Sequence, residues 1–140
     1  MAASVYSHIR SAEGEIRLLA IGPAKNLEDP LFCYLQPAHL ALLPRYEALS
    51  YTWGSPGLIS NILLNGQPFS IQENAAAALR RLRHPHGARR VWVDAICINQ
   101  EDVHEKEGQL PLMRKIYEEA EQTFTVQLVS PCRGRGESRA

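Results

Sequence analysis

The sequence has 140 residues, of which 45% are hydrophobic and 21% are charged, so we expect one globular domain rather than a disordered chain. Lys and Arg together number 15, as do Asp and Glu, and this zero net charge removes the usual electrostatic argument for binding nucleic acid or a membrane. The cysteines Cys33, Cys97 and Cys132 form no Cys-x-x-Cys pair, which argues against a disulfide framework and against a zinc site.

The first third of the chain predicts three short strands. Residues 16–21 and 31–35 are apolar runs of strand length, and residues 46–54 form a third strand that ends in glycine. In that third strand, Tyr51 and Trp53 lie on the same face because side chains alternate with a period of two. Such a pair either belongs to the core or, at the end of a strand, forms the wall of a binding crevice.

A β-hairpin is predicted next. Residues 59–64 and 67–71 are rich in strand-forming residues, and Asn65 and Gly66 lie between them. Both central residues of a type I′ turn need positive φ, which Asn and Gly tolerate better than other residues.

The hairpin leads directly into a predicted helix, for which Asn74 is a plausible N-cap. Apolar residues recur there at helical spacing, at Ala75, Ala78, Leu79 and Leu82. The arginines Arg80, Arg81 and Arg83 face away from this apolar stripe. A solvated face is the simpler interpretation of these arginines, and a phosphate site is the alternative.

The stretch from Arg90 to Gln100 is an almost unbroken apolar run that predicts a strand buried on both faces and ending in a polar loop. In α/β proteins, ligands bind beyond the carboxyl ends of such strands, which would place Asp94, Asn99, Gln100 and Asp102 in a crevice. The alternative is that Asp94 braces a neighbouring loop while Asn99 and Gln100 form a turn.

A second helix is indicated by apolar residues at Met113, Ile116, Tyr117 and Ala120. Proline inside a helix costs a hydrogen bond, so either the helix begins near Leu110 or a helix starting at Asp102 is kinked at Pro111. Gly108 favours a break. Residues 123–129 are the last strand candidate, and the sequence then becomes rich in Arg, Gly and Ser.

This order of elements predicts an α/β fold with a mainly parallel sheet, flanking helices and an inserted hairpin, since right-handed crossovers place helices on the sheet faces. We divide the chain into an N-terminal extension (1–15), one domain (16–129) and a disordered basic tail (130–140).

Three blocks of the chain resemble the fungal HET domain, named for heterokaryon incompatibility. The first leads from Ile16-Arg17-Leu18-Leu19 through Cys33 and Pro44 to Tyr-Glu-Ala-Leu-Ser-Tyr-Thr-Trp-Gly at residues 46–54. The second comprises Leu64-Asn65-Gly66, Asn74, Ala78-Leu79 and Leu82-Arg83, and continues to Val-Trp-Val-Asp-Ala-Ile-Cys-Ile-Asn-Gln at residues 91–100. The third block comprises Asp102, Glu105, Gln109, Met113, Ile116, Tyr117 and Ala120. The resemblance covers about residues 16–128, and HET domains continue with more structure where this chain enters its basic tail. It therefore implies a HET-like domain that is incomplete at its C-terminus.

The resemblance implies an effector of self/non-self recognition in filamentous fungi whose activation causes programmed cell death. HET domains are also similar to TIR domains of innate immunity, which share a flavodoxin-like parallel sheet, signal by self-assembly and in some members cleave NAD. Cleaving the nicotinamide–ribose bond requires a carboxylate that stabilises positive charge on the sugar, and the candidates are Asp94, Asp102 and Glu105. The crevice in that interpretation is lined by Tyr51, Trp53, Gly54, Asp94, Asn99 and Gln100.

The leading hypothesis is a non-enzymatic effector or assembly module that contacts itself or a partner protein in the cytoplasm. We expect no bound cofactor, no nucleic-acid partner and no membrane segment. A TIR-like NAD-cleaving enzyme, with NAD as its substrate, is the alternative function. An inactive copy is the third possibility.

Overall fold

A computed structural model of the protein describes residues 5–51 and 58–126. Seven strands are β1 (Glu15–Ile21), β2 (Phe32–His39), β3 (Glu47–Tyr51), β4 (Ile59–Leu64), β5 (Gln67–Gln72), β6 (Arg89–Trp92) and β7 (Thr123–Val126). The α-helices are α1 (Glu73–Leu82), α2 (Asp94–Cys97) and α3 (Val103–Glu119), and two 3-10 turns span Ser11–Glu13 and Leu40–Leu42. In the described part of the chain, no helix has the length and apolar character needed to cross a membrane.

The strands form one mixed sheet in the order β5-β4-β2-β1-β6-β3-β7. The predicted α/β class is confirmed, but the prediction of a mainly parallel sheet is wrong. β1 is antiparallel to both β2 and β6, and β4 is antiparallel to β5. The pairs β2–β4, β3–β6 and β3–β7 are parallel. The chain between β1 and β2 contains no helix that could serve as a crossover, so the two strands pair antiparallel as a hairpin does.

The predicted hairpin of β4 and β5 is confirmed. Asn65 and Gly66 have φ values of 52° and 80°, as a type I′ turn requires. The Oδ1 of Asn65 also accepts a hydrogen bond from the backbone N–H of Leu35 at 2.9 Å. This turn therefore fastens the hairpin to β2 as well as reversing the chain.

The stretch from Arg90 to Gln100 contains a strand only as far as Trp92. The next residues form α2, a single helical turn in which the N–H groups of Ile96 and Cys97 donate to the carbonyl of Val93 at 3.1 and 2.8 Å. The prediction of one continuous strand is therefore wrong. An all-apolar run does not distinguish a buried strand from a buried helical turn, and here both are buried. The strand itself lies inside the sheet, between β1 and β3, as expected.

Helix α3 begins after Asp102, whose side chain caps it by accepting from the N–H of Glu105 at 3.1 Å, and it continues through Pro111. The break predicted at Gly108 is wrong. A Cβ on Gly108 would lie 2.8 Å from the Cβ of Ser11, so glycine here permits close contact with the Ser11–Glu13 turn. The next residue, Gln109, is fully buried and donates to Ser11 Oγ and to the carbonyl of Glu15, both at 2.9 Å.

Helix α1 packs Ala75, Ala76 and Leu79 into the core, in agreement with the predicted apolar stripe. Two details differ from the prediction. Asn74 lies inside the helix and is exposed, because Gln72 occupies the N-cap position. Arg83 is only 8% exposed and does not belong to the solvated face.

Candidate functional site

The structure describes only some of the predicted crevice residues. Trp53, Gly54 and the side chain of Tyr51 lie outside the described residues. Asp94 lies at the start of α2, and Asn99 and Gln100 lie in the loop that follows it.

Glu105 forms a buried ion pair with Arg17 of β1. The guanidinium donates from Nη1 to Oε2 at 2.5 Å and from Nη2 to Oε1 at 2.8 Å, and the two side chains are 2% and 7% exposed. Oε2 also accepts from the backbone N–H of Asn99 at 2.7 Å. Both oxygens of Glu105 are therefore engaged in holding α3 and the loop before it against the sheet.

Arg17 also organises the N-terminal segment. It donates to the backbone carbonyls of Ser7 and Cys97, and it lies 4.8 Å from the ring centroid of Tyr6. The hydroxyl of Tyr6 donates to the carbonyl of Ile96 at 2.7 Å. Sequence reasoning placed Arg17 in a motif but did not predict its buried ion pair. A single arginine within an apolar strand is a signal for a buried partner, because arginine is almost never fully buried unpaired.

Asp94 lies apart from the Arg17–Glu105 ion pair, at the carboxyl ends of β3 and β6. Burial raises the pKa of its carboxyl group, while the backbone N–H groups of Ala95 and of Asp94 itself partly oppose this rise. The pKa of Tyr117 is also raised, first by burial and then by the negative charge of Asp94, and the side chain of Ser50 hydrogen-bonds to its hydroxyl group. Its ring packs edge-on against Trp92, with ring centroids 5.5 Å apart.

Ser50 is therefore hydrogen-bonded to Tyr117, and Asp94 acts on the same hydroxyl group through its charge. Sequence reasoning included Tyr117 and Ser50 in the motif blocks but did not predict that their side chains meet. The period-of-two pattern puts Ser50 opposite Leu49, but it does not show which helix covers Ser50.

The remaining polar candidates act within the loop. The Nε2 of Gln100 donates to the carbonyl of Asp94 at 2.8 Å, and the Oδ1 of Asn99 accepts from the N–H of Glu101 at 3.2 Å. Asp102 is the N-cap of α3. These hydrogen bonds lie within the loop, as the interpretation of Asn99 and Gln100 as turn residues expects.

Asn99 and Gln100 also line a groove of about 310 Å³ between this loop, the N-terminal segment and β5. Phe69 and Tyr6, which are in edge-on contact with ring centroids 6.2 Å apart, form its apolar part. Asp94 is not part of this lining.

The described cysteines, Cys33 and Cys97, are buried free thiols, and burial raises the pKa of each to about 12. Thiols of this kind stay protonated at neutral pH and are poor nucleophiles. Within residues 5–51 and 58–126, no three His, Cys, Asp or Glu side chains form a group that could hold a metal ion.

Comparison with known proteins identifies the class to which this fold and these motifs belong. The family described as heterokaryon incompatibility protein (HET) matches residues 46–133, and the chain belongs to that family. It is 38% identical, over 120 aligned positions, to heterokaryon incompatibility protein 6, OR allele, from Neurospora crassa. This alignment covers 76% of the present chain and 18% of the relative, so the chain spans about a fifth of the relative's length. No solved structure matches the chain.

Proposed function

We propose that this chain acts in fungal heterokaryon incompatibility as an effector or assembly module of self/non-self recognition, located in the cytoplasm and leading to programmed cell death. The observation that carries the proposal is the family match, which includes β3, β6, α2 and α3, together with the similarity to the Neurospora crassa protein.

An uncovered face of the sheet supports a mechanism based on protein contacts. Phe32 and Tyr34 alternate along β2 and are 46% and 53% exposed, and Ile59 on β4 is 63% exposed. Phe32 pairs with Leu63, which lies on the same face of β4 as Ile59. Apolar side chains grouped on one face of a sheet are typical of surfaces that meet another protein. We propose that a second copy of the chain covers this face during assembly.

The contacts made by the candidate carboxylates favour assembly through protein contacts over NAD cleavage. Glu105 is committed to Arg17 and to the N–H of Asn99, and Asp102 caps α3. Asp94 remains as a carboxylate for chemistry, and it is partly buried and accepts hydrogen bonds from the backbone N–H groups of Ala95 and of Asp94 itself. No finding supports the NAD-cleaving alternative, which stays a prediction.

The test is expression of the chain in fungal cells, with viability and total NAD followed over time. We expect cell death that precedes any fall in NAD and that is unaffected by Asp94→Ala. The double variant Phe32→Ser with Tyr34→Ser should abolish death. The matched control, Leu42→Ser with Leu110→Ser, removes two exposed apolar side chains elsewhere and should leave death unchanged.

Two results would contradict the proposal. Loss of NAD before death, with both effects abolished by Asp94→Ala, would establish the enzymatic alternative. Survival of cells that contain the folded, soluble wild-type chain would show that it is not an effector.

A further inference from the structure

A concave, positively charged pocket lies at the carboxyl end of α1. It has a volume of about 430 Å³ and is formed by the end of α1 and the loop between β1 and β2. Its cationic lining residues are Lys25, Arg80, Arg81 and Arg83. Four cations around one hollow are unexpected in a chain whose net charge is zero.

Arg83 stabilises the loop that forms one wall of the pocket. Its Nη1 donates to the carbonyls of Asp29 and Pro30 at 3.0 and 2.9 Å, and its Nη2 donates to those of Asn26 and Leu27 at 2.9 and 3.2 Å. All four terminal N–H groups are therefore used by the β1–β2 loop. No carboxylate neutralises this guanidinium among the described residues, so its charge remains in the wall of the pocket.

The other three cations are available to a ligand. Lys25, Arg80 and Arg81 make no ion pair with any described carboxylate. The Nε–H of Arg80 is buried and has no hydrogen-bond acceptor in the described part of the chain. Glu28 borders an adjoining hollow with both arginines but is not within ion-pair distance of either.

We infer that this pocket binds a small phosphate-bearing ligand, with Lys25, Arg80 and Arg81 contacting the phosphate oxygens and Arg83 fixing the loop that carries Lys25. Guanidinium groups match the geometry of phosphate oxygens and can donate two parallel hydrogen bonds. A doubly charged phosphate or a diphosphate matches the three unpaired cations better than a single carboxylate does. The concave shape favours a small ligand over the extended backbone of a nucleic acid.

A simpler role for two of these residues is compensation of the helix dipole, because Arg80 and Arg81 lie in the last turn of α1. That role does not require Lys25, which lies on a different segment, and it does not require the residues to surround a hollow. The experiment therefore has to separate ligand binding from an effect on helix stability.

The test is calorimetric titration of the full chain with inorganic pyrophosphate at constant ionic strength. Arg80→Gln with Arg81→Gln should weaken binding by about tenfold or more, since two charge-assisted contacts are lost. Lys25→Gln with Arg81→Gln changes only exposed side chains, preserves the fold and should weaken binding similarly. The matched control is Arg114→Gln with Lys115→Gln, which removes two adjacent positive charges from α3 and should change the affinity by less than about twofold.

The inference is overturned if the wild-type chain does not bind pyrophosphate, or if the control loses as much affinity as the pocket variants. It is also overturned if short duplex DNA binds more tightly than pyrophosphate and loses affinity in the same variants, because the surface would then recognise a polymer backbone. This test is independent of the proposed effector function, since it measures binding by the isolated chain.

Discussion

Arg17 illustrates how one residue connects segments that are distant in sequence. Its guanidinium is buried between β1, the end of α2, α3 and the N-terminal segment, and it contacts Glu105, Cys97 and Ser7. Two charges buried together are tolerated because they satisfy each other, whereas one of them alone in the same place is strongly unfavourable.

We therefore predict that Glu105→Gln lowers the free energy of unfolding by about 3–5 kcal/mol, because Arg17 is left buried without a counter-charge. Chemical denaturation of the purified chain measures this change. The control Glu118→Gln breaks the exposed pair between Arg114 and Glu118, whose side chains are 89% and 60% exposed, respectively. It should cost only about 0.3–0.5 kcal/mol. Equal losses in the two variants would contradict a structural role for the buried pair.

Glu47 is the second residue whose charge the fold depends on. Arg89 donates to it from Nε at 2.5 Å and from Nη2 at 3.0 Å, and Gln122 donates at 2.9 Å. The hydrogen bonds from Arg89 are the main cause of a lowered pKa for the Glu47 carboxyl group, and the bond from Gln122 adds to them. The pair links β3 to β6 at their amino-terminal ends.

This lowered pKa gives a pH dependence whose sign can be worked out. Because the folded protein binds the Glu47 proton less readily than the unfolded chain does, the pair stabilises the fold above the ordinary carboxyl pKa of about 4.3. The stabilisation is lost as pH falls through the folded value. We predict that unfolding experiments across the acidic range show a smaller loss of stability in Glu47→Gln than in the wild type. Parallel pH profiles for the two proteins would refute the prediction.

At the scale of elements, α3 shows how tertiary contact can outweigh local preference. Glycine and proline both disfavour a helix interior, yet the helix passes through Gly108 and Pro111. The helix is held by its Asp102 cap, by the Glu105 ion pair and by burial of Gln109 and Ile116.

Gly108→Ala provides a direct test of this element. Helix propensity alone would stabilise the variant by about 1 kcal/mol. The added Cβ would lie 2.8 Å from Ser11 Cβ, and that Cβ belongs to the 3-10 turn and cannot rotate away. We predict a net loss of stability in thermal unfolding. Lys106→Ala, an exposed substitution two residues earlier in the helix, should show no such loss. A Gly108→Ala variant that is more stable than the wild type would show that the Ser11–Glu13 turn moves to accommodate the added Cβ without loss of stability.

At the scale of the whole molecule, the two faces of the β5-β4-β2 part of the sheet differ. One face packs against α1 through buried side chains such as Ile62 and Leu64, while the opposite face exposes Phe32, Tyr34 and Ile59. If assembly buries this second face, removal of its aromatic side chains should weaken self-association and leave the fold intact.

We predict concentration-dependent oligomers of the wild-type chain in light scattering. In the variant Phe32→Ser with Tyr34→Ser, the apparent mass should stay at that of the monomer over the same concentrations. The control Leu42→Ser with Leu110→Ser should associate like the wild type. A wild-type chain that stays monomeric throughout would exclude assembly through this face.

The local elements followed from the sequence because their causes are local. The hairpin depends on the conformational freedom of Asn65 and Gly66, and α1 depends on apolar residues at helical spacing. The family could also be predicted, since its motifs are strings of residues at fixed spacing and the comparison confirms them.

Tertiary structure alone decided the strand directions, the end of β6 at Trp92 and the partners of the charged residues. Strand direction depends on which strands become neighbours, and an apolar run has the same composition in a strand and in a buried helical turn. Sequence spacing does not show that Arg17 meets Glu105, that Ser50 and Asp94 meet Tyr117, or that Arg83 is buried while Arg81 is exposed. These pairings depend on how distant segments pack, because electrostatic and hydrogen-bond partners are chosen by proximity in space.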